Sequence, residues 1–269
     1  PSTKTSIDKL ESFGNVCIPA ESGELASGLV GEGRMAEPES IVHFIEQDIL
    51  GTLPLYRKKV VITAGPTYEA IDPVRFIGNH SSGKMGYELA RAAANLGAEV
   101  TLIAGPNNQS ISHSLVNVVN VISAEDMYNA AHNDFSSVDI AILSAAVADY
   151  KPKDVAAQKI KKKDSSLHIE LVKTKDVLAS LGEIKKAQFL VGFALETTNE
   201  LENAKGKLTR KNLDMIVLNS LNDKGAGFGK PTNKVTIIDK KMNTLAFGLK
   251  SKAEVSIDIF NEILKRIHA

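Results

Sequence analysis

The segment from Gly78 to Gly86, with the sequence GNHSSGKMG, combines small, polar and basic residues in a loop that opens a predicted helix. Free backbone N–H groups and the positive end of the helix dipole make such a loop an anion site. Its glycines and lysine have P-loop spacing, but Met85 stands where a P-loop carries the Ser or Thr that holds magnesium. We therefore predict a phosphate cradle of another design. The alternative is an ordinary helix N-terminus that is capped by Ser81 or Ser82.

Lysines cluster in three further segments. Six lie between Lys151 and Lys163, two lie in Lys173–Asp176, and Lys207 and Lys211 are one helical turn apart. Phosphate chemistry needs such charge, because fixed cations and N–H donors stabilise charge that is spread over phosphoryl oxygens. One interpretation of the first cluster is a lid that folds over the cradle. The usual meaning of such a run is a solvated charged loop, and of the Lys207–Lys211 pair a solvated helix face.

The segment from Leu143 to Tyr150, LSAAVADY, leaves a predicted buried strand through small residues. Small residues let the backbone approach a flat ligand closely, and the carboxylate of Asp149 could hold a ribose hydroxyl. Ligands of doubly wound α/β folds bind at the carboxyl ends of the strands, which is where this segment lies. The alternative is a plain tight turn in which Asp149 is a capping residue.

Strands and helices alternate from Lys58 onward. The predicted strands are continuous apolar runs, typical of a parallel sheet that is covered on both faces; they span Val60–Thr63, Val100–Ile103, Val116–Ile122, Val138–Leu143, Leu190–Phe193 and Met215–Leu218. A β-hairpin is predicted from Lys234 to Phe247 and a helix from Ser251 to Ile267. The sequence therefore predicts an α/β fold, Rossmann-like and doubly wound, with a mainly parallel sheet, a C-terminal β-hairpin and a closing helix.

The first 50 residues differ from the rest. Residues 1–36 lack a clear periodic pattern, and Ser22–Gly23, Ser27–Gly28 and Gly31–Gly33 make a glycine-punctuated loop. Residues 37–51, in contrast, have the proline, acidic first turn and apolar stripe of a helix. This segment is too small to bury a core of its own. We place a boundary in the linker after Gly51, which gives domains 1–50 and 51–269. The chain starts with Pro1 and not methionine, so we expect a fragment of a longer protein.

Composition disfavours several classes of protein. The 32 basic and 32 acidic residues cancel, so nothing global indicates a nucleic acid or a membrane surface as partner. No apolar run approaches the roughly 20 residues of a membrane span and no signal peptide is visible, so we expect a cytoplasmic protein. Cys17 is the only cysteine, which excludes an internal disulfide and a cysteine-rich metal site.

Other catalytic schemes fit poorly. The sequence lacks a Gly-x-Ser-x-Gly elbow, and no Rossmann Gly-x-Gly-x-x-Gly follows the first predicted strand, which weakens a nicotinamide interpretation. The histidines are scattered without metal-ligand spacing, at His43, His80, His113, His132, His168 and His268. We interpret His80, beside the cradle, as a structural or hydrogen-bonding residue and not as a base. No metal ligands are assigned.

Several long motifs closely resemble bacterial phosphopantothenoylcysteine synthetase, from about Lys58 to the C-terminus. These motifs are Ile62–Thr67, Asp72–Arg75, Asn79–Gly86, Ala145–Tyr150, Lys159–Lys162, Val191–Thr197 and Lys211–Asp214. In bacteria this enzyme is usually the second half of a bifunctional protein, whose first half is a flavin-dependent phosphopantothenoylcysteine decarboxylase. Residues 1–50 resemble the end of that first half, with Glu21–Gly28 similar to its substrate flap.

Two departures from the decarboxylase family lead us to expect no decarboxylase activity in this chain. The flavin-binding body is missing, so FMN would belong to the missing decarboxylase domain. The family commonly has Cys as proton donor where this chain has Ser27, and Cys17 lies ten positions earlier.

The resemblance implies a CTP-dependent ligase that joins 4′-phosphopantothenate to L-cysteine in coenzyme A synthesis. The pantothenate carboxylate attacks the α-phosphate of CTP to give an acyl-cytidylate and pyrophosphate, and the cysteine amine then displaces CMP. No enzyme nucleophile is required. Eukaryotic relatives favour ATP, so CTP and ATP both stay open as the nucleotide substrate. The alternatives are a non-catalytic regulatory or partner subunit, which intact Asn79 and Lys159 disfavour, and a nicotinamide or flavin oxidoreductase.

The resemblance also implies roles for particular residues. Lys159 would stabilise charge on the α-phosphate, and Asn79 would hydrogen-bond the acyl carbonyl and its developing oxyanion. His80, Lys161 and Lys162 would contact the substrate together with Asn79. The implied nucleotide site consists of Gly65, Ser81, Ser82, Gly83, Lys84, Leu143, Ser144, Ala145, Asp149, Lys159, Lys173, Thr174, Lys175, Asp176, Phe193, Lys207 and Lys211.

Magnesium would be bound with CTP, with few protein ligands. The family is dimeric at this domain, so we expect a homodimer, and a larger assembly if the decarboxylase domain is present. The hairpin Lys234–Phe247 and the segment near Arg75 are the expected contact surfaces.

Overall fold

The computed structural model describes residues 2–24, 28–161, 166–220 and 229–267. The chain divides into two compact units, Pro1–Leu53 and Pro54–Ala269, which are described separately. In the described ranges no helix is both long enough and apolar enough to cross a membrane. That the first segment derives from a decarboxylase domain stays a prediction, and Ser27 and part of Glu21–Gly28 lie outside the described residues.

The first unit contains two helices and a β-hairpin: α1 Ser2–Ser12, β1 Glu21–Glu24, β2 Val30–Arg34 and α2 Pro38–Gly51. Strands β1 and β2 pair antiparallel, with Gly23 opposite Gly31. The expectation of a glycine-punctuated loop is therefore wrong for the described residues that form β1 and β2. Backbone pairing forms this ladder without an apolar face, and α1 is polar with no buried residue, so neither element leaves a periodic pattern in the sequence.

The second unit is organised around one large sheet. Its strands are β3 Lys59–Ala64, β4 Tyr68–Ala70, β5 Phe76–Gly78, β6 Glu99–Ala104, β7 Val116–Asn120, β8 Ile140–Leu143, β9 Tyr150–Pro152, β10 Leu171–Lys173, β11 Phe189–Glu196, β12 Met215–Ser220, β13 Thr232–Asn233, β14 Val235–Asp239, β15 Thr244–Ala246 and β16 Lys250–Ser251. Eight of them form the sheet in the order β15-β14-β12-β11-β8-β3-β6-β7.

The pairing of these strands confirms the predicted mainly parallel α/β fold. All neighbours from β7 through β6, β3, β8 and β11 to β12 are parallel. Strands β14 and β15 are antiparallel and form the C-terminal hairpin at one edge. Strand order reverses between β3 and β8, so the chain is doubly wound and the carboxyl ends of these two strands flank the point where ligands bind in such folds.

Helices cover both faces of the sheet; they are α3 Lys84–Asn95, α4 Ala124–His132, α5 Val177–Ile184, α6 Glu200–Arg210 and α7 Lys252–Ile267. Alternate residues of each strand point to opposite faces. Val60 and Ile62 belong to the core that contains α3 and α7, whereas Val61 belongs to the core that contains α4, α5 and α6. Burial on both faces explains why the strands are continuous apolar runs in the sequence.

Among the described residues of the second unit, three two-stranded ladders lie outside the large sheet: β4 with β5, β9 with β10, and β13 with β16. Each contains only two or three residues per strand, which is too short for an alternating pattern to be visible. Residues of these ladders, or residues next to them, contribute to the cavity described below.

Candidate functional site

A cavity of about 750 Å³ opens at the carboxyl ends of β3, β8 and β11. Most of the catalytic, nucleotide-binding and substrate-binding residues that the resemblance implies line it: Asn79, Ser81, Ser82, Gly83, Lys84, Leu143, Ser144, Ala145, Asp149, Lys173, Thr174, Lys175, Asp176, Phe193, Lys207 and Lys211. The described lining contains six lysines but only two acidic residues, Asp149 and Asp176. The cavity therefore favours an anionic ligand.

Five residues of the implied site do not line this cavity. Gly65 is buried behind it, where its carbonyl accepts a hydrogen bond from the N–H of Ala146 at 2.9 Å. His80, Lys159 and Lys161 are exposed and are not among the described lining residues. Lys162 lies outside the described residues. The functional roles of all five stay predictions.

The first turn of α3 has no side-chain cap. Gly83 precedes the helix with φ of +74°, a left-handed conformation that glycine adopts readily. The hydroxyl of Ser81 accepts a hydrogen bond from the N–H of Gly83 at 3.3 Å and does not reach the helix amides. The alternative of a helix N-terminus capped by Ser81 or Ser82 is therefore wrong. The amides of the first turn are left available, as an anion cradle requires.

Helix α3 lies directly against the end of β3. A Cβ atom on Gly86 would stand 2.4 Å from the Cβ of Ala64 and 3.0 Å from the hydroxyl of Ser144. Ser144 itself donates to the carbonyl of Thr63 at 2.6 Å. The hydroxyl of Ser144 thus ties β8 to β3, and the small residues of this loop present backbone to the cavity.

Asn79 links the cradle to the small-residue loop. Its Nδ2 donates to the carbonyl oxygens of Ala146 and Val147, each at 3.1 Å. Both hydrogens of the amide can be engaged in these two bonds. Asn79 therefore fixes the relative position of the two segments, and it would have to release one carbonyl in order to donate to a ligand.

Lys207 of α6 and Lys211, the residue that follows this helix, lie near the start of α5 at the cavity wall. Lys207 donates to the carbonyl of Phe193 at 2.7 Å, and Lys211 lies 2.5 Å from a carboxylate oxygen of Asp176. Asp176 also caps α5 by accepting from the N–H of Ala179. Burial, followed by repulsion from Lys211, lowers the pKa of Lys207. The pKa of Asp176 is lowered as well, because the hydrogen bond from Lys211 and other contacts outweigh the opposing effect of burial.

The segment Lys173–Asp176 is tied to the loop that follows β8. Thr174 donates from its hydroxyl to the carbonyl of Ala148 at 2.6 Å, and its N–H donates to the carbonyl of Asp149. Lys175 lies 2.7 Å from Glu125 and 4.6 Å from the ring centre of Tyr128. Glu125 of α4 therefore partly neutralises the ammonium charge of Lys175.

Asp72 holds the described end of the lysine-rich loop. Its buried carboxylate accepts hydrogen bonds from the N–H of Val74 and of Ile160 and from the guanidinium of Arg75, which also donates to the carbonyl of Ile160 at 2.9 Å. The hydrogen bond from Arg75 lowers the pKa of Asp72 far below its ordinary value of 3.8. Since the folded-state pKa is depressed, the stabilisation is present above that ordinary value and is lost only as the pH falls through the depressed one. Whether the loop acts as a lid stays a prediction.

We expect Asp72→Asn to release this anchor, because a neutral amide cannot accept charge-assisted hydrogen bonds from both Arg75 and Ile160. Hydrogen exchange should show the N–H of Ile160 exchanging about tenfold faster or more. Asp154→Asn, an exposed position in the same loop, is the matched control and should leave the exchange unchanged. Unchanged exchange at Ile160 in Asp72→Asn would contradict the anchoring role.

Two polar residues of the C-terminal part, Asn233 and Lys252, also line the cavity, and the sequence-based predictions missed them. Lys252 is the first residue of α7 and is only 5% exposed. Burial, followed by repulsion from Lys84, lowers its pKa. The available signal was a lysine in the first turn of a helix, where the dipole disfavours a cation.

In the described part of the chain, no group of three His, Cys, Asp or Glu side chains is arranged to hold a metal ion.

Comparison with known proteins gives consistent matches. Residues 55–267 match the family model described as DNA/pantothenate metabolism flavoprotein C-terminal domain. A "Coenzyme A biosynthesis bifunctional protein CoaBC" from Bacillus subtilis (strain 168) is 48% identical, covering 98% of this chain and 65% of the relative, so this chain spans about two thirds of that protein. A "Cysteine/Cysteine sulfinic acid decarboxylase" from an unknown prokaryotic organism is 53% identical, covering 100% of this chain and 76% of the relative.

A solved structure also matches. The crystal structure of the C-terminal domain of a coenzyme A biosynthesis bifunctional protein CoaBC superposes with a TM-score of 0.68 at 44% identity, covering 81% of this chain and 99% of that one.

Proposed function

Because the chain belongs to the family of the DNA/pantothenate metabolism flavoprotein C-terminal domain, we propose that it is a ligase that joins 4′-phosphopantothenate to L-cysteine in coenzyme A biosynthesis. The observation that carries the proposal is the cavity itself, where six lysines and the uncapped first turn of α3 face only two described acidic residues. Similarity to the Bacillus subtilis protein, whose name places it in coenzyme A biosynthesis, supports the same conclusion.

The proposed reaction has two steps. The carboxylate of 4′-phosphopantothenate attacks the α-phosphorus of CTP, and pyrophosphate leaves. The amine of cysteine then attacks the acyl carbon of the acyl-cytidylate, loses a proton, and CMP leaves as the amide forms. The enzyme contributes orientation and electrostatic stabilisation, since the nucleotide itself activates the carboxylate.

The cavity provides groups for each part of such a ligand. We propose that the amides of the first turn of α3, with Lys84, hold phosphates, and that Lys207 of α6 and Lys211, the residue after that helix, add positive charge. The backbone of Leu143–Ala145 and the ring of Phe193 offer apolar contacts for a base, with Asp149 for a ribose hydroxyl. Lys159 is proposed to act on the α-phosphate, which requires the lysine-rich loop to move toward the cavity.

Magnesium is proposed to enter with CTP and to be bound mainly by phosphate oxygens. FMN is proposed to bind only to a decarboxylase domain and not to this chain.

A homodimer is proposed to form through the segment around Arg75 and through the β14–β15 hairpin. Val74 and Phe76 flank Arg75 and are 59% and 51% exposed, and Leu245 of the hairpin is 42% exposed. Exposed apolar side chains of this kind are typical of subunit contacts. Sedimentation should give a dimer, and a fully active monomer would contradict the proposal.

The test of the ligase is pyrophosphate release from CTP, measured with and without 4′-phosphopantothenate and L-cysteine. We expect release to require phosphopantothenate and continuous turnover to require cysteine. The same mixtures with ATP decide the preferred base. Nucleotide binding without any release would favour the alternative of a regulatory subunit. Carbon dioxide from cysteine without nucleotide would instead place the activity with the decarboxylase relative.

Nucleotide affinity is expected to fall as the pH rises through the pKa of Lys207, which lies below that of an ordinary lysine. Lys207 has a lowered pKa and faces Lys211, Asp176, Glu196 and Asp149, so its ammonium loses its proton at a lower pH than an ordinary lysine, with a pKa of 10.5. Only the protonated form attracts phosphate. Titration calorimetry between pH 7 and pH 10 should show progressive weakening for the wild type, and Lys207→Gln should bind more weakly at pH 7 with a shallower decline. An equally steep decline in Lys207→Gln would contradict this assignment.

A further inference from the structure

Thr67 lies in the turn that follows β3, is 0% exposed and is not among the described residues that line the cavity. Its hydroxyl oxygen accepts a hydrogen bond from the N–H of Ala148 at 2.9 Å, across 81 positions of sequence. Ala148 is itself only 4% exposed, so loss of this acceptor would leave a buried N–H unsatisfied. The bond therefore fixes the peptide unit that joins Val147 to Ala148.

The other side of Ala148 is held by a different segment. Thr174 donates from its hydroxyl to the carbonyl of Ala148 at 2.6 Å, and the N–H of Thr174 donates to the carbonyl of Asp149 at 3.0 Å. From Tyr150 onward the backbone belongs to the β9–β10 ladder, in which Tyr150 pairs with Lys173. The backbone of Asp149 is therefore held both before and after this residue.

The side chain of Asp149 depends on this backbone for its position. Asp149 is exposed and lines the cavity, and no described residue donates a hydrogen bond to its carboxylate. The orientation of the Cα–Cβ bond therefore decides where the carboxylate lies. Since a hydrogen bond weakens steeply with distance and angle, a small rotation of the preceding peptide would separate the carboxylate from a ligand hydroxyl.

The turn that carries Thr67 is fixed to the rest of the second unit. The carbonyl of Gly65 accepts from the N–H of Ala146 at 2.9 Å, and the N–H of Tyr68 donates to the carbonyl of Ile122 at 2.8 Å. Thr67 lies between these two bonds, so its backbone is held on both sides. Its hydroxyl is thus a rigid acceptor that sets the position of the loop after β8.

We propose that Thr67 is a positioning residue for the ribose of the nucleotide: through Ala148 it places the carboxylate of Asp149 where it accepts hydrogen bonds from the ribose hydroxyls. This inference rests on the proposed function, in which Asp149 contacts the ribose. It adds that recognition of the sugar depends on a buried threonine outside the described cavity lining. A ribose contact is made equally in the ground state and in the transition state, so Thr67 contributes to nucleotide affinity and not to the chemical steps.

The test is steady-state pyrophosphate release from CTP and from 2′,3′-dideoxy-CTP, at saturating 4′-phosphopantothenate and L-cysteine. We expect the wild type to have a KM for CTP roughly tenfold or more below that for the dideoxy nucleotide, since a hydrogen bond to a charged group is worth about that factor. Thr67→Val keeps the shape of the side chain and removes the acceptor. It should bring the two KM values within about threefold of each other and leave kcat within about twofold of the wild type. Thr67→Ser keeps the hydroxyl and should restore the wild-type ratio.

Two further variants separate positioning from general damage to the fold. Thr101→Val, in β6 and outside the described cavity lining, is the matched control and should keep the wild-type ratio of KM values. If Thr67 acts through Asp149, the double variant Thr67→Val/Asp149→Ala should have the same KM values as Asp149→Ala alone. A further rise of both KM values in the double variant would overturn the proposal, and so would an unchanged ratio in Thr67→Val.

A measurement on the wild type covers the case in which Thr67→Val does not fold. CTP at saturation should slow hydrogen exchange at the N–H of Ala148 about threefold more than the dideoxy nucleotide does, because the ribose contact at Asp149 stabilises the loop against Thr67. Equal slowing by the two nucleotides would overturn this inference alone. A wild type that releases no pyrophosphate from CTP or from ATP would overturn the proposed function with it, so the two failures are distinguishable.

Discussion

Asn79→Ala is expected to lower the rate of amide formation by about 10²–10³-fold while pyrophosphate release from CTP and 4′-phosphopantothenate continues. The proposed role of its Nδ2 is to donate to the oxyanion that develops when cysteine attacks the acyl carbon, and this charge exists only in the second step. Rapid quenching followed by chromatography should show acyl-cytidylate accumulating in the variant. The wild type should convert the intermediate as quickly as cysteine is supplied.

The structure adds a second consequence of the same substitution. Nδ2 of Asn79 donates to the carbonyls of Ala146 and Val147, so alanine also frees the loop after β8 from the cradle. Loss of positioning would slow both steps equally, whereas loss of the oxyanion donor slows only the second. Asn108→Ala, at an exposed asparagine outside the described cavity lining, is the matched control and should leave the acyl-cytidylate at its wild-type level. Equal slowing of both steps in Asn79→Ala would reduce its role to positioning.

The central sheet could be predicted from the sequence because both of its faces are buried. Val60, Val61 and Ile62 point alternately to two different cores, so a strand here must be apolar at every position. The amphipathic closing helix was equally visible, since Val255, Ile259 and Ile263 share the buried face of α7. These patterns lie within a single strand or helix. A pattern of this kind is enough to predict the element when the same packing repeats along its length.

Features that depend on distant residues were not visible. The N–H of Ile160 donates to Asp72, 88 positions away in sequence, and no pattern at either residue indicates its partner. The hairpin β1–β2 depends on backbone pairing between glycine-containing segments. Lys252 lines the cavity because α7 packs beside α3 and begins there.

In the candidate site, too, local residue types could be predicted from the sequence, whereas contacts between distant residues could not. The cradle was predicted from glycine and lysine types in a loop before a helix, whereas the capping alternative could be decided only by the φ angle of Gly83 and the direction of the Ser81 hydroxyl. Most of the implied nucleotide residues share one cavity, whereas Lys159 stands outside its described lining. Whether the lysine-rich loop moves toward the cavity cannot be derived from residue types, so the role of Lys159 stays a prediction that depends on the resemblance.

Gly105→Ala is expected to destabilise the second unit by about 3 kcal/mol or more, which corresponds to a melting temperature lower by roughly 6–12 °C. Gly105 follows β6, and a Cβ atom there would stand 1.8 Å from the carbonyl oxygen of Pro66 and 2.9 Å from its carbonyl carbon. Both are backbone atoms that cannot swing away as a flexible side chain does. Thermal unfolding followed by circular dichroism measures the effect.

A shift of the Pro66 backbone in Gly105→Ala would also affect the cavity. Pro66 forms a parallel bridge with Ala146, whose carbonyl accepts from Asn79, so movement of Pro66 should weaken nucleotide affinity as well as stability. Gly248→Ala is the matched control, since a Cβ atom at Gly248 would meet nothing within 4 Å. Comparable melting temperatures for the two variants would show that the chain relaxes around Gly105. Because the nearest atoms at Gly105 belong to a turn that is held between two parallel strands, we expect no such relaxation, and the loss of stability and of nucleotide affinity should appear together.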